Sequence, residues 1–235
     1  MIKYIFFDLG DTLVDMSISK KSLSFGLNSV ISNSLLTEGI ISKWEQESYK
    51  TFEYYFVKGE FHSIKKLQAL SLKKVLSEYN INLTEEKFSF AVDEFWRYFI
   101  KNCKSYEDVL PTLSKLNKNN YKIGLITNGD EENVTCILKK HKLNDIIKIK
   151  IISSIIKSYK PHPTLFELAV ELAQCLAQEA LYVGDSITDI YGAKKLGLTT
   201  VIINRNTTQD SEDGNETSFI INDLLELPDV INKIT

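Results

Sequence analysis

The chain has 235 residues, with 28 Lys+Arg against 31 Asp+Glu and a formal net charge of −3. Apolar residues at 43% and charged residues at 25% are the proportions of a globular chain of one or two domains and give no support to a disordered, collagen-like or coiled-coil one. A pI of about 5.7 without a basic block argues against a partner held by phosphate-backbone electrostatics, so a small molecule is expected rather than nucleic acid or an anionic membrane surface.

The first element, Ile2 to Phe7, is a short apolar run ending abruptly at Asp8, the pattern of a strand buried on both faces and followed by a loop. It is too short for a signal core, and no stretch has the ~18 to 20 apolar residues of a membrane span, so a cytoplasmic protein is expected. The three cysteines, Cys103, Cys136 and Cys175, are far apart and odd in number, which predicts reduced thiols. The NxS/T sequons at Asn133, Asn206 and Asn215 read as composition, not as glycosylation sites.

From Val14 to Lys101 proline is absent and apolar residues recur at helical spacing, predicting about four helices divided near Thr37-Glu38-Gly39, Lys58-Gly59-Glu60 and Asn80 to Thr84. After Tyr106 strands and helices alternate: helix Glu107 to Leu116, strand Tyr121 to Ile126, helix Glu131 to His141, strand Ile149 to Ser153, helix Thr164 to Ala173, strand Ala180 to Val183, helix Ile187 to Leu196 and strand Thr199 to Ile203. The polar stretch Asn206 to Ser218 reads as a surface loop before a last strand, Phe219 to Ile221, and a terminal helix. Apolar strands alternating with helices predict parallel βαβ units. The fold expected is α/β: a Rossmann-like, doubly wound parallel sheet (residues 1–14 and 102–235) with an all-helical cap inserted at 15–101. An insert after the first strand overhangs the C-terminal strand edge, where open parallel sheets bind ligands.

Four strand ends carry polar residues: Asp8, then Thr127-Asn128-Gly129, then Lys160 beyond the third strand, then Gly184-Asp185-Ser186-Ile187-Thr188-Asp189. Each alone has an ordinary reading as a turn former, a helix cap or a solvated lysine. Together they place three carboxylates and one base at a single sheet edge. Three acids meeting there would repel without a cation, and oxygen ligands without His or Cys favour Mg²⁺. A carboxylate beside Mg²⁺ and lysine suits in-line attack on a phosphoryl group, giving an aspartyl-phosphate that water hydrolyses.

FFDLGDTLVD at the start, GLITNG at 124–129, KPHPTLFELA from Lys160 and YVGDSITDIYGAKKLG from Tyr182, in this order and with a helical insert after the first, resemble the phosphatases of the haloacid dehalogenase superfamily with a type C1 cap. The resemblance spans essentially the whole chain. It implies a sheet with the first strand between the second and fourth. Asp8 would be nucleophile and Mg²⁺ ligand, Thr127 and Asn128 would bind the phosphoryl group, and Lys160 would neutralise its charge and that of Asp8. Asp185 would bind Mg²⁺ directly, with Asp189 acting through water or orienting its neighbours, and the carbonyl of Gly10 would be a further ligand. The expected substrate is a small phosphorylated metabolite, and the expected oligomeric state is monomer or homodimer.

One departure bears on mechanism. The family's phosphatases usually carry an Asp two residues after the nucleophile as general acid and base; here that residue is Gly10, followed by Asp11. Glycine keeps the carbonyl for Mg²⁺ but supplies no proton, a loss of ~10²- to 10⁴-fold. Asp11 is the catalytic candidate to fill the gap. Two alternatives follow: a catalytically impaired relative that binds a phosphorylated ligand or a partner, and a dehalogenase, which needs no general acid. The second fits less well, because such enzymes lack the Asp185 and Asp189 pair and use a cap arginine, whereas the cap here has only Arg97. Fifteen of the 25 aromatics lie in residues 15–101, better explained as a helical core than as a stacking surface. His62, His141 and His162 have no ligand spacing.

Overall fold

A computed structural model describes residues 1–31, 38–205 and 219–234, and of residues 188 and 189 the backbone only. The chain divides into two compact units, Met1–Asp15 with Lys104–Thr235, and Met16–Cys103. Strand β1 (Tyr4–Phe7) opens the first unit and is buried along almost its whole length; the two-residue β2 (Val14–Asp15) follows it.

The second unit holds α1 (Ser19–Asn28), α2 (Glu38–Lys58), α3 (Ile64–Glu78) and α4 (Glu85–Asn102). Ser63 and Thr84 cap α3 and α4, their hydroxyls accepting from Lys66 N and Lys87 N, which satisfies backbone donors that a helix start leaves unpaired. The interior is aromatic: Trp44, Phe95 and Phe99 are buried, and the Trp44 indole donates to Gln68 O and Ser71 Oγ, both at 3.1 Å. Helices α1 and α4 approach so closely at Gly26 that a Cβ there would lie 2.4 Å from Ala91 O. The aromatic-rich segments therefore build a core first, although Tyr49, Tyr54 and Phe90 remain exposed.

The chain re-enters the first unit through β3 (Lys104–Ser105), antiparallel to β2, then α5 (Val109–Lys118), β4 (Lys122–Thr127), α6 (Glu131–Lys140), β5 (Ile147–Ile152) and a single turn of helix, α7 (Ser153–Ile156). It closes with α8 (Pro163–Ala173), β6 (Ala180–Gly184), α9 (Ile187–Leu196), β7 (Thr199–Ile203), β8 (Phe219–Ile221) and α10 (Leu227–Ile234). Six strands form one parallel sheet in the order β5-β4-β1-β6-β7-β8. This is the α/β, doubly wound sheet that the strand-helix alternation predicts, with β1 between β4 and β6. The six expected strands lie within two residues of those observed. Two features go beyond the sequence reading, the β2–β3 pair and α7, since two-residue strands and a four-residue helix carry no periodicity. The loop expected at Asn206 to Ser218 lies outside the described residues.

Strand β1 is where the order reverses: its successors in the chain lie on one side as β4 and β5, and on the other as β6, β7 and β8. The crevice beyond the carboxyl end of such a strand is the usual ligand site of an open parallel sheet.

Candidate active site

The register fixes the polar strand ends relative to one another. Phe7 pairs with Leu125 on one side and Val183 on the other, so Asp8, one residue beyond, lies beside the end of β4 and the end of β6. Its amide donates to Val183 O at 2.9 Å. Thr127 ends β4 and is buried; Asp185 follows β6 and is half-buried. Neighbouring strands are about 4.8 Å apart, so the backbone alone brings the first, second and fourth motifs together. Asp189 lies on the first turns of α9; its side chain is outside the described residues.

Lys160 joins them from the loop before α8. It is 5% exposed and Asp8 is 7% exposed, and Lys160 Nζ donates to Asp8 Oδ1 at 2.6 Å. Each charge makes the other tolerable away from water, since a lone buried charge is strongly disfavoured. The same ammonium donates to the Tyr182 hydroxyl at 3.1 Å, and that hydroxyl donates to Ile126 O at 3.4 Å. Asn128 grips the lysine's backbone: Oδ1 accepts from Lys160 N at 2.8 Å, and Nδ2 donates to Lys160 O at 3.4 Å. The turn carrying Asn128 is tied to α7, with Ser153 Oγ accepting from Gly129 N and Ser154 Oγ accepting from Glu131 N, each at 2.9 Å. Sequence reasoning missed Tyr182 and the two serines. A tyrosine in the middle of an otherwise apolar strand was the available signal, because a buried phenol requires a partner.

Residues 10 and 11 belong to a tight turn. Gly10 forms a bridge with Val14, and Asp11, at φ +44°, donates its amide to Val14 O at 2.8 Å. The Asp11 carboxylate accepts from the Tyr106 hydroxyl at 3.3 Å. Burial, followed by the charges of Asp11 and Asp15, pushes the Tyr106 phenol well above its ordinary pKa, so it stays a donor. Arg205 stacks on that ring, its guanidinium carbon 4.1 Å from the centroid, while Nη2 donates to Thr12 O at 2.8 Å and Nη1 pairs with Asp108 Oδ2 at 2.6 Å. Asp108 Oδ2 also accepts from Leu224 N at 2.7 Å. Burial opposes ionisation of Asp108, but Arg205 and the Leu224 amide outweigh it and hold the carboxyl below its usual range. This network, absent from the sequence reading, anchors the turn between Asp8 and β2.

The candidate metal donors near Asp8 are oxygens: Asp185, one residue beyond the adjoining strand β6, and the backbone carbonyl of Gly10. Among the described residues no group of three or more His, Cys, Asp or Glu side chains gathers as a metal site. Magnesium asks for less, because one or two carboxylates with water and substrate oxygens suffice, and the donor set fits it. The remaining candidates have structural tasks. His162 caps α8, its Nδ1 accepting from Thr164 N, and the His62 ring packs edge-on to Tyr55. Asn133 is 3% exposed in the first turn of α6, so its sequon is inaccessible to a glycan. No disulfide joins Cys103, Cys136 or Cys175.

A buried carboxylate-lysine pair thus stands at the carboxyl end of the central strand of a parallel sheet. The sequence profile of the haloacid dehalogenase-like hydrolases matches residues 25–203, and the chain belongs to that family. It is 30% identical over 208 residues to the glyceraldehyde 3-phosphate phosphatase of Pyrococcus abyssi, covering 86% of this chain and 81% of that one. Two solved structures share the fold. The L-2-haloacid dehalogenase of Xanthobacter autotrophicus with chloropropionic acid covalently bound has a TM-score of 0.79 at 17% identity, with both chains covered completely. The hydrolase YfnB of Bacillus subtilis bound to magnesium has a TM-score of 0.78 at 19% identity, covering 98% of this chain and 99% of that one. No described helix is long and apolar enough to cross a membrane.

Proposed function

We propose that the protein is a Mg²⁺-dependent phosphatase that hydrolyses a small phosphorylated metabolite through an aspartyl-phosphate on Asp8. The observation that carries this reading is the 2.6 Å contact between Lys160 Nζ and Asp8 Oδ1, which aims the carboxylate and leaves Oδ2 to attack phosphorus. Attack forms the Asp8 O–P bond as the bond from phosphorus to the leaving oxygen breaks; water then attacks the same phosphorus, releasing phosphate and regenerating the carboxylate. Thr127 supplies a hydroxyl to the transferring group, and Lys160 neutralises charge gathering on its oxygens. Asp8, the Gly10 carbonyl, Asp185 and Asp189 would hold the metal, which supplies further charge compensation at the phosphoryl oxygens. The helical unit, residues 15–101, would serve as the cap.

Gly10 contributes no proton. Asp11, its carboxylate oriented by the Tyr106 hydroxyl, would take a proton from the attacking water, and the leaving group would draw its proton from solvent. That division favours substrates with good leaving groups. The phosphatase named among the relatives supports phosphate esters as the substrate class. The Xanthobacter autotrophicus dehalogenase, at 17% identity, shares the fold alone.

The test is phosphate release from p-nitrophenyl phosphate with Mg²⁺ and with EDTA, for the wild type and Asp8→Asn. Metal-dependent release by the wild type, abolished in Asp8→Asn, is expected. Equal release by both proteins would overturn the reading.

A further inference from the structure

Lys160 reaches Asp8 from a loop, and a lysine has four rotatable bonds, so its ammonium needs to be held if it is to meet a particular carboxylate oxygen. We propose that Tyr182 and Asn128 are positioning residues that hold Lys160 in its working geometry, Tyr182 by the ammonium and Asn128 by the backbone. The inference rests on the reading of Lys160 as the charge partner of Asp8 and the phosphoryl group.

The directions of the hydrogen bonds carry the argument. An ammonium only donates, so the Tyr182 oxygen accepts from Lys160 Nζ at 3.1 Å. The phenol's own hydrogen is then directed to Ile126 O, at 3.4 Å. Tyr182 therefore presents a lone pair to the lysine, and it has little freedom to turn away. It is fully buried in β6, and Phe166 packs edge-on to its ring at 5.4 Å between centroids. Gly192 of α9 gives that arrangement its room, since a Cβ there would lie 2.4 Å from the Phe166 ring and 2.9 Å from Pro161 O. At the other end, the Asn128 carboxamide meets both the N–H and the C=O of Lys160. Its turn is in turn fastened by Ser153. Lys160 is thus fixed by β6 at its tip and by the turn after β4 at its base. Those are the two strands flanking Asp8. Asn128, expected to touch the phosphoryl group, is assigned here to the lysine.

A double-mutant cycle in the full-length protein separates positioning from general support of the fold. Tyr182→Phe, Asn128→Ala, Lys160→Ala and the two doubles with Lys160→Ala are compared for kcat/KM on p-nitrophenyl phosphate with Mg²⁺, and for inhibition by orthovanadate. Each of Tyr182→Phe and Asn128→Ala should lower kcat/KM by about 10-fold and weaken vanadate inhibition when Lys160 is present, and by less than 2-fold when position 160 is alanine. An equal penalty in both backgrounds would overturn the inference while leaving the phosphatase reading standing. The two branches of the cycle are independent, so if one single variant does not fold the other decides. A wild type inert toward p-nitrophenyl phosphate and insensitive to vanadate would overturn the function itself, and the inference with it.

Discussion

Lys160 and Asp8 are 152 positions apart in the chain, and their side chains meet at 2.6 Å with almost no exposure. Removing one partner of such a pair strands the other charge. Lys160→Met should therefore destabilise the protein by ~3 kcal/mol, and adding Asp8→Asn to it should restore most of that loss. Denaturant melts of the two single variants and the double give the comparison. Additive losses would show that the pair is not a buried ionic contact.

In the proposed mechanism position 10 lacks the usual general acid and base. Gly10→Asp should raise steady turnover by roughly 10-fold or more through general acid-base help, and rapid-mixing kinetics should show any initial burst shrink relative to the steady phase. An unchanged steady rate would mean that proton transfer does not limit the reaction.

The Tyr106 hydroxyl holds Asp11. Tyr106→Phe removes that donor without changing the ring under Arg205. If Asp11 activates water, the burst should keep its amplitude while the steady rate falls several-fold. A steady rate equal to that of the wild type would show that the Tyr106 hydrogen bond plays no part in the reaction, and Asp11→Asn with a wild-type rate would remove Asp11 from the mechanism.

The Asp108–Arg205 pair is a structural counterpart, with side chains 5% and 7% exposed. Arg205→Met should cost ~3 to 5 kcal/mol by leaving Asp108 buried and unpaired. Because the folded protein lowers the Asp108 pKa below its ordinary value of ~3.9, the stability it contributes is complete above that value. It is lost as pH falls from there through the folded-state pKa. Acid melts should show a smaller drop between about pH 5 and pH 2 for Asp108→Asn than for the wild type. Parallel profiles would contradict the assignment.

Gly192 allows a test of packing alone. Gly192→Ala places a methyl against Phe166 and Pro161 O, an overpacking penalty of ~1 to 3 kcal/mol, read as a lowered Tm. A Tm equal to the wild type's would show that α8 and α9 have slack.

Much of this was legible in the sequence for definite physical reasons. Tyr4–Phe7 and Ala180–Gly184 are strands buried on both faces, so apolar runs ended by Asp8 and by Gly184-Asp185 marked their carboxyl ends without coordinates. The site residues at those ends were placed by topology, since β1 lies between β4 and β6. What was not legible depends on side-chain direction. Tyr182 reads as one more core aromatic until its hydroxyl is seen between Lys160 and Ile126. Arg205 and Asp108 are 97 positions apart, and no local pattern announces their pairing. The Asn128 carboxamide meets the backbone of Lys160, 32 positions away, and no local pattern announces that contact.

The central claim is a covalent bond between phosphorus and the Asp8 carboxylate. It is tested most directly by acid-quenching the enzyme during turnover with Mg²⁺ and a phosphate ester, reducing any acyl phosphate with borohydride, and sequencing the peptides by mass spectrometry. The account predicts reduction of residue 8 to homoserine in the wild type and none in Asp8→Asn. Steady phosphate release with an unmodified Asp8 at every quench time, under conditions where Gly10→Asp gives the same result, would contradict it.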